Sequence, residues 1–148
     1  MITEVNKNSI RQAAEIHAIS WRDSHRDSFS PAFVEEHTTE RQLFYLLGEQ
    51  ERGKQLYMKV ADKPVGIVTV WNNLIENLYI LPSEQNKGHG TELLKFAISC
   101  CDGPPKIWVR CNNPRAYTLY RRHGFQETGK TKILCDDLYQ LEMELKTG

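Results

Sequence analysis

The sequence predicts a mixed α/β fold, in which a mostly antiparallel sheet of about seven strands is flanked by about four helices. Hydrophobic residues recur at helical spacing in the first fifth of the chain and again after residue 88, whereas β-branched and aromatic residues form short runs between residues 55 and 81. Glycines and prolines stand between these segments and form no long linker. The predicted order is β-α-α-β-β-β-α-β-α-β-β, within a single domain over residues 1–148.

The first third of the chain is expected to contain a short strand and two helices. The run Ile2–Val5 is typical of a strand, and apolar residues from Ile10 to Trp21 recur at helical spacing. The polar stretch 22–30 ends that first helix. The segment 31–52 should then be largely helical and stop at Gly53.

The middle of the chain favours a three-stranded antiparallel meander. Two short turns, Asp62-Lys63-Pro64 and Asn72-Asn73, separate runs that are rich in β-branched and aromatic residues. The three predicted strands are Gln55–Ala61, Val65–Trp71 and Leu74–Leu81.

The remaining third predicts helices alternating with strands. Asn113-Pro114 is a typical helix start, and Gly124 a typical end. A turn is expected around Gly129-Lys130, between two closing strands. The predicted elements are a helix from about Gly88 to Cys100, a strand over Lys106–Cys111, a helix over 113–124, and strands over Phe125–Thr128 and Leu138–Leu145.

Composition disfavours several classes of protein. The 148 residues include 19 Lys+Arg and 19 Asp+Glu, so the net charge is zero and nucleic acid is not an expected partner. No stretch approaches the ~18 consecutive apolar residues of a membrane span, and the first residues lack the pattern of a secretory signal. A cytoplasmic protein without a membrane partner is therefore expected. The four cysteines and five histidines show no metal-ligand spacing, so no metal is predicted.

The segment Leu78–Leu94 combines a strand, a short loop with two glycines and an amphipathic helix. Gly88 and Gly90 allow the backbone N–H groups to converge, and the following helix start adds partial positive charge. This arrangement predicts a phosphate-binding loop. It is not a Walker A loop, because no lysine follows Gly90, nor a dinucleotide fingerprint, because Leu93 replaces the third glycine.

Two motifs of this chain resemble the GNAT superfamily of N-acetyltransferases. The family signature Gln/Arg-x-x-Gly-x-Gly/Ala is matched by Gln85, Gly88 and Gly90. The resemblance extends over about residues 55–145 and implies a GNAT-like acyl-CoA-binding fold. The second family pattern, Asn-x-x-Ala-x-x-Leu-Tyr-x-x-x-Gly-Phe, is matched by Asn113, Ala116, Leu119, Tyr120, Gly124 and Phe125.

The resemblance implies an enzyme that uses acetyl-CoA as cosubstrate and moves its acetyl group to a primary amine by direct attack on the thioester. It implies that the pyrophosphate binds backbone N–H groups of the glycine loop, and that the pantetheine arm lies where the fourth and fifth strands splay apart. We expect the loop to act through its backbone, so the side chain of His89 should face solvent. The implied cofactor-binding residues are Leu78, Tyr79, Ile80, Gln85, Asn86, Lys87, Gly88, His89, Gly90, Thr91 and Asn113.

Acyl transfer from a thioester to an amine needs an acid for the departing thiolate and a base for the amine. Tyr120 suits the acid, because a phenol with a pKa of about 10 is not ionised at neutral pH and can donate to a thiolate whose thiol titrates near 8.5. Glu76 is the candidate base, since family members often carry a carboxylate on this strand. Strand alternation predicts that Glu76 shares a face with Leu78 and Ile80. The alternative interpretation of Glu76 is a solvated acid at a strand edge.

The sequence leaves two other functions open, a non-catalytic acyl-CoA-binding sensor and a protein-interaction module. It does not identify the amine acceptor, which could be a protein N-terminus, a lysine, a polyamine, an antibiotic or a metabolite. The acceptor is expected against residues 21–34, Trp71 and the last strands. Those closing strands could also pair across a homodimer.

Overall fold

A computed structural model of the chain describes residues 1–146, which form one seven-stranded mixed sheet and five α-helices. This architecture confirms the predicted fold class. The sheet order is β1-β2-β3-β4-β5-β7-β6, and β4 with β5 is its one parallel pair. The elements are β1 (Ile2–Glu4), α1 (Ile10–His25), α2 (Pro31–Glu35), α3 (Thr39–Glu51), β2 (Gln55–Val60), β3 (Pro64–Trp71), β4 (Leu74–Ile80), a 3₁₀ turn (Pro82–Glu84), α4 (His89–Cys100), β5 (Lys106–Arg110), α5 (Pro114–Arg122), β6 (Phe125–Cys135) and β7 (Leu138–Leu145).

Two hydrophobic cores lie on opposite faces of this sheet. On the first face, α4 and α5 bury Leu93, Leu94 and Tyr120 against β3, β4 and β5. On the second face, α1 and α3 bury residues such as Ile16 and Leu46 against β2 and β3. Burial of these apolar side chains holds the helices on both sides of the sheet. None of the helices described within residues 1–146 is long and apolar enough to cross a membrane.

The prediction that residues 31–52 are largely helical is confirmed, but the single helix of the predicted order is wrong, because the structure divides the segment into α2 and α3. Val34, the apolar anchor of α2, is buried, and the chain leaves the helical path at residues 36–38. Thr38 then caps α3, its hydroxyl accepting a hydrogen bond from the backbone N–H of Arg41 at 3.2 Å. A threonine at this position satisfies an N–H that the helix itself leaves unpaired, so it favours a new helix start.

The turn predicted at Gly129-Lys130 is also wrong. Strand β6 continues through this position to Cys135, and the reversal occurs at Asp136-Asp137, with Asp136 at a φ of 42°. Gly129, at a φ of 95°, instead lies within an irregularity between Glu127 and Thr131. A glycine with positive φ is compatible with a β-bulge as well as with a turn, and here the ladder resumes after it.

Candidate active site

An opening between β4 and β5 is the central feature of the site. These parallel strands are paired only at Leu74 with Lys106 and at Ile75 with Ile107. Beyond these pairs, β4 continues along β3 and β5 continues along β7, so the two strands separate. The strand edges facing the opening keep backbone groups available to a ligand. The splay that the sequence led us to expect between these strands is present.

A β-bulge shapes the β4 side of this opening. Ile67 pairs with Tyr79, whereas Thr69 pairs with Glu76, so β4 has one more residue than β3 over this stretch. The extra residue lies at Asn77, whose φ is 53°. A bulge bends the strand and reverses the alternation of side chains beyond it.

The bulge corrects the predicted orientation of Glu76. Leu78 and Ile80 pack on the first core, beneath α4 and α5, whereas Tyr79 packs on the second core. Glu76 lies opposite Thr69, two residues from Ile67 of the second core, and therefore points to the face of α1 and α3. The expectation that it shares a face with Leu78 and Ile80 is wrong.

A buried hydrogen-bond network holds the bulge in place. The side chain of Gln42 donates to Nδ1 of His17 at 2.7 Å, and His17 Nε2 lies 3.4 Å from Oδ1 of Asn77. The amide of Asn77 in turn donates to the hydroxyls of Tyr45 and Thr69, at 3.2 and 3.4 Å. Burial lowers the pKa of His17 to about 4, so its imidazole is neutral at pH 7. The network thus connects α3, α1, β4 and β3 through uncharged groups.

The glycine loop follows β4 and leads directly into α4. Gly88 caps α4 with a φ of 87°, and Asn86 also has a positive φ of 65°. A Cβ on Gly88 would meet no atom within 4 Å, so the space beside the loop is open. Two side chains hold the loop, since Gln85 donates to the carbonyl of Ile80 at 3.3 Å and Arg115 donates to Oδ1 of Asn86 at 2.8 Å.

His89 and Asn113 were both predicted to bind the cofactor, and the structure places them in different surroundings. His89 is half-buried, and its Nδ1 is enclosed without a hydrogen-bond partner among residues 1–146, so the expectation that it faces solvent is wrong. Asn113 caps α5, its Oδ1 accepting from the N–H of Ala116 at 3.2 Å. The cap alone accounts for Asn113, and its predicted contact with the cofactor stays a prediction.

Tyr120 approaches the opening from the first face. It is buried in the core with its ring centroid 6.0 Å from that of Phe125. Burial, and then the proximity of Tyr79, raise the pKa of Tyr120 above its ordinary value. Tyr120 shares the first core with Leu78 and Ile80, so it is close to β4, the strand that borders the opening.

Glu76 belongs to a cluster of three charges on the second face. Its carboxylate lies 2.8 Å from Nζ of Lys54, which also pairs with Glu49 at 3.1 Å. Lys54 lies over the ring of Trp71, 5.2 Å from its centroid. Burial lowers the pKa of Lys54, but its hydrogen bonds with Glu76 and Glu49 outweigh this effect and leave the pKa raised. Within this cluster Lys54 lies between two carboxylates, and the exposed Arg52 also pairs with Glu49 at 3.4 Å, so the local charges balance.

Arg110, Asn77 and Lys54 are site residues that were not predicted from the sequence. Arg110 ends β5 on the second face and is buried, and nothing in its local sequence separates it from a solvated strand-end arginine. The bulge at Asn77 had one indication in the sequence: asparagine tolerates positive φ better than most residues, and here it occurs within a predicted strand. Lys54 pairs with Glu76 only because folding brings the residue before β2 close to β4, so its local sequence gave no indication of this contact.

Comparison with models of protein families identifies the family of this chain. The family model described as acetyltransferase (GNAT) domain matches residues 52–127, which is more than half of the chain. The chain belongs to the GNAT acetyltransferase family. Acetyl transfer is therefore the class of activity of this GNAT domain.

Solved structures agree with the GNAT assignment at the level of the fold. PaiA N-acetyltransferase from Thermoplasma acidophilum, solved in complex with coenzyme A, is 18% identical, with a TM-score of 0.70 over 97% of this chain and 98% of the other. YncA from Salmonella typhimurium, solved with its cofactor acetyl-CoA, is 17% identical, with a TM-score of 0.71 over 99% and 92%. A GCN5-related N-acetyltransferase from Rhodopseudomonas palustris is 15% identical, with a TM-score of 0.75 over 99% and 95%. No curated protein matches this GNAT sequence.

Proposed function

We propose that this GNAT domain transfers the acetyl group of acetyl-CoA to a primary amine by direct attack of the amine on the thioester. The observation that carries the proposal is the opening between β4 and β5, with the glycine loop at the end of β4. Tyr120 and Glu76 approach this opening from opposite faces of the sheet. An acid and a base on opposite sides of one channel suit a reaction in which the two substrates enter from different faces.

The residues of the loop fit an acyl-CoA. In this proposal the backbone N–H groups of residues 85–91 bind the pyrophosphate, because the first N–H groups of α4 have no partner within the helix. The open space beside Gly88 leaves room for a phosphate. The free edge of β4 at residues 78–80 binds the pantetheine arm through backbone hydrogen bonds, and Asn113 adds a polar contact. When bound, acetyl-CoA supplies the acetyl group in activated form.

Tyr120 acts as the general acid in this proposal. Its raised pKa keeps the phenol protonated at neutral pH, and its burial protects that proton from exchange with bulk water. The phenol then donates its proton to the sulfur that leaves as a thiolate. Because the thiol is more acidic than the phenol, this transfer is uphill, and it is completed when the resulting tyrosinate takes up the proton released by the amine.

Glu76 acts as the base that accepts the proton of the incoming ammonium group. The carboxylate of Glu76 lies on the second face and is half-buried, so in this proposal it binds the ammonium group of the acceptor beside the opening. Lys54 also fixes the carboxylate of Glu76 in place. Trp71, 44% exposed beside Lys54, offers an apolar wall for the acceptor.

A turnover experiment with a panel of amines tests the proposal. The full chain is incubated with acetyl-CoA and polyamines, amino acids, their carboxamides, aminoglycosides, and peptides with free N-termini or lysines. We expect thiol release that depends on the amine, and acetylated product identified by mass spectrometry. Calorimetric binding of acetyl-CoA without release for any amine would contradict transfer and favour the sensor. Absence of binding would favour an interaction module.

A further inference from the structure

Arg110 is a buried cation on the second face of the sheet, at the edge of the opening. It ends β5, its side chain alternates with Ile107 and Val109 of the first core, and it is only 9% exposed. Its guanidinium donates to the backbone carbonyl of Ser24 at 2.7 Å and to the hydroxyl of Ser28 at 3.2 Å. Both acceptors are neutral. Two of its five N–H groups are therefore used, and the others remain available.

Arg110 lacks a compensating anion within the described chain. Within residues 1–146, every ion pair is formed by a lysine or an arginine other than Arg110, so no carboxylate pairs with Arg110. The ionisable groups that influence it are Tyr79 and Cys111, a phenol and a thiol rather than carboxylates. The carbonyl of Ser24, in the last turn of α1, offers only the partial charge of a helix terminus. A buried charge is normally paired with an opposite charge, so we infer that an external anion supplies the missing counter-charge of Arg110.

Ser20 is a second unsatisfied group, one helical turn before Ser24, which Arg110 contacts. It is 3% exposed, and its Oγ has no hydrogen-bond partner among residues 1–146. On α1 it lies three residues after His17 and four before Ser24, so the three share one face of the helix. His17 contacts Asn77 of β4, and Ser24 contacts Arg110 of β5. Ser20 therefore faces the strands on either side of the opening.

We propose that the amine acceptor of this enzyme also carries a carboxylate, and that Arg110 binds this carboxylate with help from the hydroxyl of Ser20. The inference rests on the proposed transfer to an amine. One carboxylate balances one guanidinium, and the planar fork of arginine matches its two oxygens. Glu76 on β4 would attract the ammonium group while Arg110 on the neighbouring strand binds the carboxylate. The acceptor is thus a zwitterion of the amino acid type.

Matched acceptor pairs test this proposal on the unaltered protein. Each amino acid in the panel is compared with its carboxamide and with the amine that lacks the carboxyl group, for example phenylalanine, phenylalaninamide and phenethylamine. We expect kcat/KM to be at least about 10-fold higher for the carboxylate, as a charge-assisted hydrogen bond gives. Equal or better turnover of the carboxamides would overturn the proposal while leaving transfer to amines intact. Preference for an aminoalkylphosphonate would overturn the assignment of a carboxylate.

The variant Arg110→Gln separates anion binding from a structural role. We expect KM for the carboxylate acceptor to rise at least about 10-fold, with kcat within about 3-fold and KM for the matched amine unchanged. Arg110→Lys should recover part of the affinity, because it restores the charge without the fork. Arg122→Gln, which removes the same charge from an exposed position at the end of α5, is the control. Equal losses for both acceptors would show that Arg110 only holds α1 against β5, and would overturn the proposal.

Discussion

Burial raises the pKa of the Tyr120 phenol, and the proposed mechanism assigns this side chain the role of proton donor. Tyr120→Phe removes the proton while keeping the ring that packs near Phe125. We expect kcat to fall about 10- to 100-fold, the usual contribution of a general acid, with the acetyl-CoA dissociation constant within about 2-fold. Steady-state kinetics and calorimetry measure the two effects.

Tyr117→Phe is the matched control for Tyr120, since both tyrosines lie on α5. The Tyr117 hydroxyl donates to the carboxylate of Glu127 at 2.6 Å, away from β4. Its loss should leave kcat within about 2-fold. If the Tyr120 variant turned over acetyl-CoA as fast as the Tyr117 variant, Tyr120 would have no part in the mechanism.

Glu76 differs from an ordinary strand-edge acid because Lys54 pairs with it at 2.8 Å on the face of the second core. Glu76→Gln keeps the shape but cannot accept a proton. We expect kcat/KM at pH 7 to fall about 100-fold, and the remaining rate to climb with pH as more of the acceptor becomes free amine. Rate profiles between pH 6 and 9 measure both effects. Glu51→Gln, at an exposed position of α3, is the control, and an unchanged profile for Glu76→Gln would exclude Glu76 as the base.

At the scale of one element, the start of α4 depends on Gly88, which adopts a φ of 87°. Gly88→Ala should cost about 1–2 kcal/mol of unfolding free energy, because a Cβ is disfavoured at positive φ. Gly88→Asp adds a carboxylate beside the proposed pyrophosphate site and should weaken acetyl-CoA binding more than 10-fold. Calorimetric binding of acetyl-CoA to both variants separates the effect of the added carboxylate from the effect of backbone strain, which the two variants share. Gly103→Asp, where a Cβ also meets open space, is the control, and normal binding by Gly88→Asp would move the pyrophosphate elsewhere.

Elements with a local signal were predictable from the sequence, and features set by distant contacts were not. Gly88, Asn113-Pro114 and the Asn72-Asn73 turn mark element boundaries through their own backbone preferences. The bulge at Asn77 depends instead on His17, sixty residues away in the chain. Because that bulge reverses alternation, the sequence identified Glu76 as a candidate but predicted the wrong face for it.

The network between α1, α3 and β4 should make stability depend on pH through His17. Burial lowers the pKa of His17 to about 4, so the unfolded chain binds a proton near pH 6.5 that the folded chain excludes. The stability from neutral His17 is therefore complete above pH 6.5 and is lost as the pH falls toward 4. Between pH 7 and pH 5 this loss is about 2 kcal/mol. Denaturant unfolding at both pH values should show that His17→Gln loses less stability than the unaltered chain, and equal losses would contradict a neutral buried His17.

For the molecule as a whole, the sheet consists of two parts with a narrow junction. Strands β1 to β4 pair continuously, as do β5, β7 and β6, but only two residue pairs join β4 to β5. The first core spans both parts, and Arg110 ties β5 to α1 on the other face. A ligand bound in the opening would bridge strands that the fold leaves separate, so its binding should stabilise the junction more than either outer edge.

Hydrogen exchange with and without acetyl-CoA tests this coupling across the molecule. At a concentration of 100 times the dissociation constant, the unfolding free energy should rise by about 2.7 kcal/mol. Local exchange should slow most at residues 78–80 and 86–91, whose N–H groups the proposal assigns to the pantetheine arm and the pyrophosphate. The β6–β7 hairpin tip at residues 133–139 serves as the internal control for local opening, and Gly88→Asp should reduce the effect at residues 78–80 and 86–91. Slowing centred on the hairpin tip, or an equal response from Gly88→Asp, would mean that acetyl-CoA does not bind in the opening.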